Sequence, residues 1–403
     1  MKLQTLKGFR DFLPQQAKKR QYVINTLKKV FELYGFEPLE TPALEYEEVL
    51  LGKYGEEGDK LMYRFTDLGK RKVAMRYDLT VPLARVAAQY QNIPIPFKRY
   101  QIKSVWRAEN PQKGRYREFL QCDIDTLGVD GIYADYEIIS CAIAAAKKLG
   151  FKNIKMLIND RLLFKNLEST FVSAIDKLAK IGKEGVVSEL VRKGMKKNDA
   201  QKLINSFDRS EPTSMINSLF KLLKETGLKE NEDFSFEPTL ARGLDYYTGA
   251  IFELVCEDYP SGSIGGGGRY DKLIGQFANR DIPAVGFSFG FDRLLEAMEL
   301  LKLLPNDLVT TRVLVTIFSP DFTNTSLDVV SKLRNNGISA EINLDPELKL
   351  DKQLKYADRK RIPYVVIIGP AEVKRNVILL KNMRTGKQEE VKKDQLAKKL
   401  KVS

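Results

Sequence analysis

The amino-acid sequence predicts an α+β domain built on an antiparallel sheet, with a helical insertion, followed by a C-terminal α/β domain. Three observations predict this. The segment Phe97 to Asp125, FKRYQIKSVWRAENPQKGRYREFLQCDID, holds two strand-like runs joined by a short turn-rich loop, Ala108 to Gly114. From Arg161 to about Asn231, helical, Lys-rich segments dominate. From Arg312 onward strand and helix patterns alternate, which implies parallel strands in a small α/β domain.

The elements follow in chain order. Gln15 to Tyr34 is a helix, because Val23, Leu27, Val30 and Phe31 recur at helical spacing and Gly35 and Pro38 stop it. Pro38 to Glu48 begins an extended stretch, and Arg64 to Tyr77 carries two short strands around the Gly69-Lys70 turn. Leu79 to Gln91 reads as a helix ended by Asn92 and two prolines. After the hairpin, Ala134 to Leu149 is an apolar helix ended by Gly150, and Ile154 to Ile158 is a short buried strand. The helical insertion is expected to break at Gly182, Gly185, Gly194, Pro212 and Gly227. Strand patterns return at Phe234 and continue through Gly290, followed by a helix over Phe291 to Leu301. LLPNDLVT, Leu303 to Thr310, reads as a linker. Beyond it come a strand (Arg312 to Phe318), a helix (Asn324 to Asn335, stopped by Gly337), a strand (Ser339 to Asn343), a helix (Leu350 to Lys360) and a strand (Tyr364 to Ile368). The expected boundaries are a core of 1–160 and 232–302, an insertion of 161–231, a linker of 303–310 and a second domain of 311–403.

Composition narrows the function classes. At 403 residues, 43% hydrophobic and 30% charged, the chain reads as a soluble globular protein with ample length for a core. The formal net charge of +13 favours a polyanionic partner, RNA or DNA being the usual one; a generally basic proteome is the alternative. From Thr311 to Ser403 there are 19 Lys and Arg against 11 Asp and Glu, a net of +8, so more than half of the excess sits in under a quarter of the chain. Cys122, Cys141 and Cys256 are widely spaced and odd in number, which argues for a reducing, cytoplasmic setting and against a disulfide frame or zinc site. The N-terminus has no continuous apolar core, so no signal peptide is expected, and the lack of an apolar run of about 20 residues gives no expected membrane span. The chain contains no histidine, which excludes histidine as general base, nucleophile or metal ligand. Chemistry must then run on Arg, Lys, carboxylates, Tyr, amides or bound magnesium.

Within the hairpin, Arg115, Arg117, Phe119, Gln121, Asp123 and Asp125 share one parity and so one face of a strand. That face is either a polar floor for a charged ligand or a solvated hairpin face. Asp78 and Thr80 are two apart in what reads as an extended run, facing the same way. Gly265 to Gly268 lacks the G-x-G-x-x-G spacing of a dinucleotide loop; it reads better as backbone closely approaching a ligand, with a flexible turn as the alternative.

The hairpin segment resembles motif 2 of class II aminoacyl-tRNA synthetases, in the version carried by histidyl-tRNA synthetases; its loop is NPQKGRYREF, Asn110 to Phe119. The likeness runs almost end to end. KGFRDFLP (Lys7 to Pro14) is similar to the family's N-terminal signature, MRYDLTVPLAR (Met75 to Arg85) to its first histidine-contact strand, ARGLDYYTG (Ala241 to Gly249) and GGGRYDKL (Gly266 to Leu273) to its two histidine-specific motifs, and GFSFGFDRLLE (Gly286 to Glu296) to motif 3. KQLKYADRKRIPYVVIIG (Lys352 to Gly369) is similar to part of the family's anticodon-binding domain. The resemblance therefore implies a class II catalytic domain followed by an α/β anticodon-binding domain.

It also implies two steps: histidine and ATP form histidyl-adenylate and pyrophosphate, then the 3′ end of histidine tRNA takes the histidyl group. By the resemblance, Arg107 grips the α-phosphate and the substrate carboxylate, Glu109 lies near the adenine, Arg115 near the γ-phosphate, and Arg293 is the motif 3 arginine in the first turn of a helix. Arg242 matches the family's catalytic arginine, touching the α-phosphate and the histidine carboxylate. Asp78 and Thr80 suit the substrate ammonium, and Gln121 its backbone groups. Asp125 suits an imidazole N–H, with Tyr246, Tyr247 and Tyr270 lining that end and Tyr247 completing the contact. Gln112 matches a loop residue that meets the extra 5′ guanosine of the tRNA. ATP enters as substrate with Mg²⁺ bound mainly through it, and the assembly implied is a homodimer formed partly through motif 1, near Pro38 to Glu48. Asp292 replaces a common motif 3 Glu and keeps the charge. Two other readings compete: a histidine-sensing regulatory subunit of ATP phosphoribosyltransferase, which typically lacks the C-terminal domain and degrades RGLDYY, and a non-catalytic RNA-binding module.

Overall fold

The computed structural model describes residues 3–112, 114–242, 246–278, 280–306 and 308–402. Lys113 of the hairpin loop, Gly243 to Asp245 of the RGLDYY stretch and Asp307 of the expected linker lie outside the described residues. The chain divides into two compact units, Met1–Leu304 and Pro305–Ser403.

In the first unit the strands, in chain order, are β1 (Glu37–Pro38), β2 (Leu44–Tyr46), β3 (Arg64–Thr66), β4 (Lys72–Met75), β5 (Phe97–Trp106), β6 (Glu118–Leu127), β7 (Ile154–Asp160), β8 (Phe234–Phe236), β9 (Ala250–Cys256), β10 (Ser263–Arg269) and β11 (Ala284–Gly290). Among the described residues they form an eight-stranded sheet in the order β1-β5-β6-β11-β10-β9-β7-β8 and a three-stranded sheet in the order β2-β4-β3. The six inner strands of the large sheet pair antiparallel, while β1 and β8 add parallel edges. The expected antiparallel framework is present.

Strand parity divides the large sheet into two chemical faces. On β6, Cys122 and Ile124 point into a core built with Phe287 and Phe289 of β11 and Phe252 and Leu254 of β9. The helices Pro14–Leu33 and Ile132–Lys148 cover that face with Val23, Leu27 and Phe31 and with Ile138, Ile139 and Ala142. Each fully buried Val, Leu, Ile or Phe among them contributes roughly 1.5–3 kcal/mol. The other parity, Phe119, Gln121, Asp123 and Asp125, faces a cavity.

Two expectations change here. β6 starts at Glu118, not at Arg115, because the residues before it serve other partners. The Arg117 N–H donates to the Gly8 carbonyl, and the Arg117 side chain packs on Gly8, whose φ is +89°. Arg115 instead pairs with Gln112 in an isolated bridge. Nor do Asp78 and Thr80 share an extended run: Thr80 opens the helix Thr80–Gln89, and Asp78 accepts the N–H groups of Thr80 (3.1 Å) and Val81 (3.0 Å). A short acidic side chain supplying otherwise missing acceptors at a helix start is a capping role.

The helices Ser169–Ile175, Leu178–Arg192 and Lys197–Phe207 share a small core with Leu240, Ala241 and Ile251, whereas Ser214–Glu225 joins the main core through Ile216, Leu219 and Phe220. Gly182 kinks the second of these helices (φ +69°), while Gly185 continues it rather than breaking it. No helix among the described residues is long and apolar enough to cross a membrane.

The second unit contains β12 (Val313–Val315), β13 (Ala340–Ile342), β14 (Tyr364–Ile367), β15 (Val377–Asn382) and β16 (Gln388–Lys392), ordered β13-β12-β14-β15-β16. The first three are parallel, as expected; β15 and β16 extend the sheet antiparallel, which the sequence reading did not anticipate. β16 reads QEEVK, a charged edge with one buried residue, so its pattern carries almost no strand signal.

Candidate active site

A cavity of about 490 Å³ opens on the polar face of the large sheet. Asp78, Thr80, Arg107, Glu109, Arg115, Gln121, Asp125, Arg242, Tyr246, Tyr247, Tyr270 and Arg293, all selected from sequence, line it together. Gln112 does not: it is exposed at the hairpin loop, held to Arg115 by two backbone hydrogen bonds of 2.9 and 3.1 Å.

The basic side of the lining comes from separate elements. Arg107 follows β5; its guanidinium donates to the Tyr77 carbonyl at 3.2 Å and lies 4.3 Å from the Tyr77 ring. Arg115 stands 3.6 Å from Glu109. Arg293 lies in the first turn of the helix Phe291–Leu300, where the exposed amides favour anions. Its neighbour Asp292 is neutralised by Arg10 at 2.8 Å and Arg20 at 3.0 Å, so the N-terminal segment is pinned against this helix start.

Arg242 adopts the left-handed region at φ +46°, and its part-buried guanidinium lies against Gly266. A Cβ at Gly266 would collide with that guanidinium, and one at Gly267 with the Gly286 carbonyl. The glycine run is thus the central strand β10, stripped of side chains so that Arg242 can lie on it. Burial opposes the charge on Arg242, but the Tyr247 hydroxyl, Glu253 and Asp176 together hold its pKa above the usual value.

The acidic end is more deeply buried. Asp78 accepts from the Tyr54 hydroxyl at 2.8 Å, yet burial still raises its pKa, and its Oδ2 has no hydrogen-bond partner among the described residues. Asp125 faces the Arg99 guanidinium at 2.7 Å and accepts from the Tyr270 hydroxyl at 2.5 Å. Its Oδ1 is thus taken by Tyr270, while its Oδ2 has the Arg99 charge beside it but no aligned hydrogen bond among the described residues. Gly286 lacks the Cβ that would occupy the place of its Oδ1. Asp123 is pushed up to about 7, by burial and by the neighbouring Asp125, against the pull of Arg99. The ring centroids of Tyr246 and Tyr247 are 4.9 Å apart, and burial raises the pKa of both phenols. Among the described residues no group of three or more Cys, Asp or Glu is arranged to hold a metal ion.

Cations on one side and buried carboxylates with phenols on the other suit a ligand pair of polyanion and cationic zwitterion. Comparison with known proteins decides the family. The profile described as Histidyl-tRNA synthetase matches residues 8–294, and one described as Anticodon binding domain matches 312–403. The chain belongs to the histidyl-tRNA synthetase family. It is 40% identical to the histidine–tRNA ligase of Cytophaga hutchinsonii, with 98% of each chain covered, and 39% identical to that of Christiangramia forsetii, with 95% of each covered. The crystal structure of histidyl-tRNA synthetase from Nostoc sp. PCC 7120 superposes with a TM-score of 0.85 at 29% identity, covering 100% of this chain and 99% of that one.

In this histidyl-tRNA synthetase fold three groups in or behind the cavity lining carry no motif of their own. Tyr54, the donor to Asp78, lies in a stretch without a motif. Arg99 had a usable signal: pairing the hairpin strands in register sets Arg99 opposite Asp125 and Gln101 opposite Asp123. Asp176, at the end of the helix Ser169–Ile175, also lines the cavity, and no local pattern marks it.

Proposed function

We propose that this protein is a histidine–tRNA ligase: it activates L-histidine with ATP to histidyl-adenylate and transfers the histidyl group to the 3′ end of histidine tRNA. The observation that carries the reading is the convergence of Arg107 and Arg242 with the buried Asp78 and Asp125 on one cavity. In the first step the histidine carboxylate attacks the α-phosphorus of ATP and pyrophosphate leaves. Two anions must be brought together and charge grows on phosphoryl oxygens, so fixed cations do most of the work and no histidine side chain is needed. Arg107 and Arg242 hold the α-phosphate and the carboxylate, Glu109 lies by the adenine, and Arg115 and Arg293 bind the outer phosphates. Asp78, Thr80 and Gln121 receive the ammonium and backbone groups, while Asp125, Tyr246, Tyr247 and Tyr270 form the imidazole end. Mg²⁺, bound mainly through the ATP phosphates, adds positive charge there when present. In the second step the terminal ribose hydroxyl of the tRNA attacks the activated carbonyl and AMP leaves.

The C-terminal unit offers a separate groove of about 930 Å³ whose lining includes Arg334, Leu344, Lys352, Lys355, Tyr356 and Arg359 beside the acidic Glu341, Asp345 and Asp358. Basic side chains with an aromatic ring and an exposed leucine suit unstacked bases, so the anticodon loop docks here. Gln112, exposed on the hairpin loop, meets the acceptor end. The exposed Leu44 and Tyr46 of β2 and Phe65 of β3 form an apolar face for a homodimer, and the protein works in the cytoplasm. Coverage of nearly the whole chain by the ligases, with a matching anticodon-binding unit, favours this reading over the regulatory subunit.

ATP–pyrophosphate exchange with each amino acid in turn tests the proposal. Histidine alone should support exchange; exchange with another amino acid, or with none, overturns it.

A further inference from the structure

The N-terminal segment has no part in the scheme above, yet it ties together two basic elements of the cavity. Arg115 comes from the hairpin and Arg293 from the helix Phe291–Leu300, and each has a chain neighbour, Tyr116 or Asp292, that also lines the cavity. Arg10 meets both neighbours. Its guanidinium lies 3.2 Å from the centre of the Tyr116 ring and donates to Asp292 Oδ1 at 2.8 Å. The same oxygen accepts from Arg20 at 3.0 Å. Phe12 lies between the two arginines, 5.0 Å from Arg10 and 3.9 Å from Arg20, and Arg20 stands 4.6 Å from the buried Phe291 ring. Rings and guanidinium groups thus alternate from the hairpin to the helix start: Tyr116, Arg10, Phe12, Arg20, Phe291. A guanidinium over an aromatic face is attracted by the ring's quadrupole, more strongly where water is excluded.

A second attachment fixes the hairpin itself. The Gly8 carbonyl accepts the Arg117 N–H at 3.0 Å. The Arg117 side chain crosses Gly8 and donates to the Glu109 carbonyl at 3.0 Å and to the Lys7 carbonyl at 3.4 Å. A Cβ at Gly8 would stand 2.8 Å from that side chain. The segment therefore holds the hairpin on both sides of Arg115.

Charge gives these contacts a consequence for the ligand. Asp292 places a carboxylate in the lining beside Arg293. Left alone, it would repel a triphosphate and compete with it for Arg293. Arg10 and Arg20 cancel that charge. We propose, resting on the ATP reading of this cavity, that Lys7 to Phe12 form a strap of the nucleotide subsite, with Arg10 as the positioning residue that sets Arg115 and Arg293 for the triphosphate. Arg10 acts through Tyr116 and Asp292. The histidine end rests instead on Asp78, Asp125 and their phenol partners, so loss of Arg10 falls on ATP.

The experiment uses the full-length protein in pyrophosphate exchange with histidine. Arg10→Met keeps most of the side-chain length and removes its charge and its plane. It should raise KM for ATP about tenfold, with KM for histidine within about twofold of wild type. In an Asp292→Asn background, where there is less charge to cancel, the effect of Arg10→Met on KM for ATP should shrink to about threefold or less. Amide hydrogen exchange of the wild type needs no variant to fold. ATP alone should slow exchange across residues 7–12, because it clamps the two elements to which the strap is attached, whereas histidine alone should not. An unchanged KM for ATP, an equal rise in both KM values, an undiminished effect in the Asp292→Asn background, or strap exchange that ATP leaves unaltered or histidine slows equally overturns the inference. Failure of histidine to support exchange in the wild type is a different result and removes the ATP reading itself.

Discussion

Behind the cavity lining Arg99 is 0% exposed and sits 2.7 Å from Asp125, whereas on the basic side of the cavity Arg115 is 47% exposed and stands 3.6 Å from Glu109. Both are arginine–carboxylate pairs, but the surroundings give them different work. Water screens the outer pair and leaves it worth about 0–1 kcal/mol, so Arg115 can trade Glu109 for another anion at little cost. The inner pair has no water to fall back on, and removal of one member strands a charge in a medium that cannot solvate it. The exposed Arg115 can therefore change partners freely, whereas the buried Arg99 is fixed by the charge it must neutralise.

The comparison is broken most directly at Arg99. Arg99→Met leaves Asp125 facing an apolar side chain, and chemical denaturation should show a loss of about 3–5 kcal/mol. A loss below about 1 kcal/mol would mean that the pair is as dispensable as a surface one. Arg242→Ala probes a cation between these extremes, supported by Tyr247 and Glu253 but open to the cavity. The exchange rate should fall about 10²–10³-fold with the fold intact by circular dichroism. A near-normal rate removes Arg242 from the catalytic machinery.

Acidity sharpens the contrast further. The folded-state value of Asp123, about 7, lies above the roughly 3.9 expected for an unfolded chain. Between those values the folded protein keeps a proton that the unfolded chain has released, so stability falls as pH rises through the window. Asp123→Asn carries no such liability, and its melting temperature relative to wild type should be higher at pH 8 than at pH 5. Equal offsets at both pH values would show that the carboxylate is not strained by burial. The smallest effect belongs to the outer pair: Arg115→Ala should change stability by less than about 1 kcal/mol while raising KM for ATP. A stability loss matching that of Arg99→Met would mean that the exposed and buried pairs are energetically alike.

Much of this protein is determined by local pattern. The long helices were legible because Val23, Leu27, Val30 and Phe31 recur at helical spacing, and the face of β6 because Gln121, Asp123 and Asp125 alternate with Cys122 and Ile124. The motifs also located nearly every residue of the cavity, since each short signature keeps its residue types and order whatever the chain does between them. Tertiary structure decided the rest. Asp78 became a helix cap bonded to Tyr54, the four glycines became a strand beneath Arg242, and Asp125 was taken up by Arg99 and Tyr270. These outcomes depend on which groups are brought together out of water from distant parts of the chain. A one-dimensional pattern records which side a residue faces, but the free energy of a buried charge is set by the partners that meet it there.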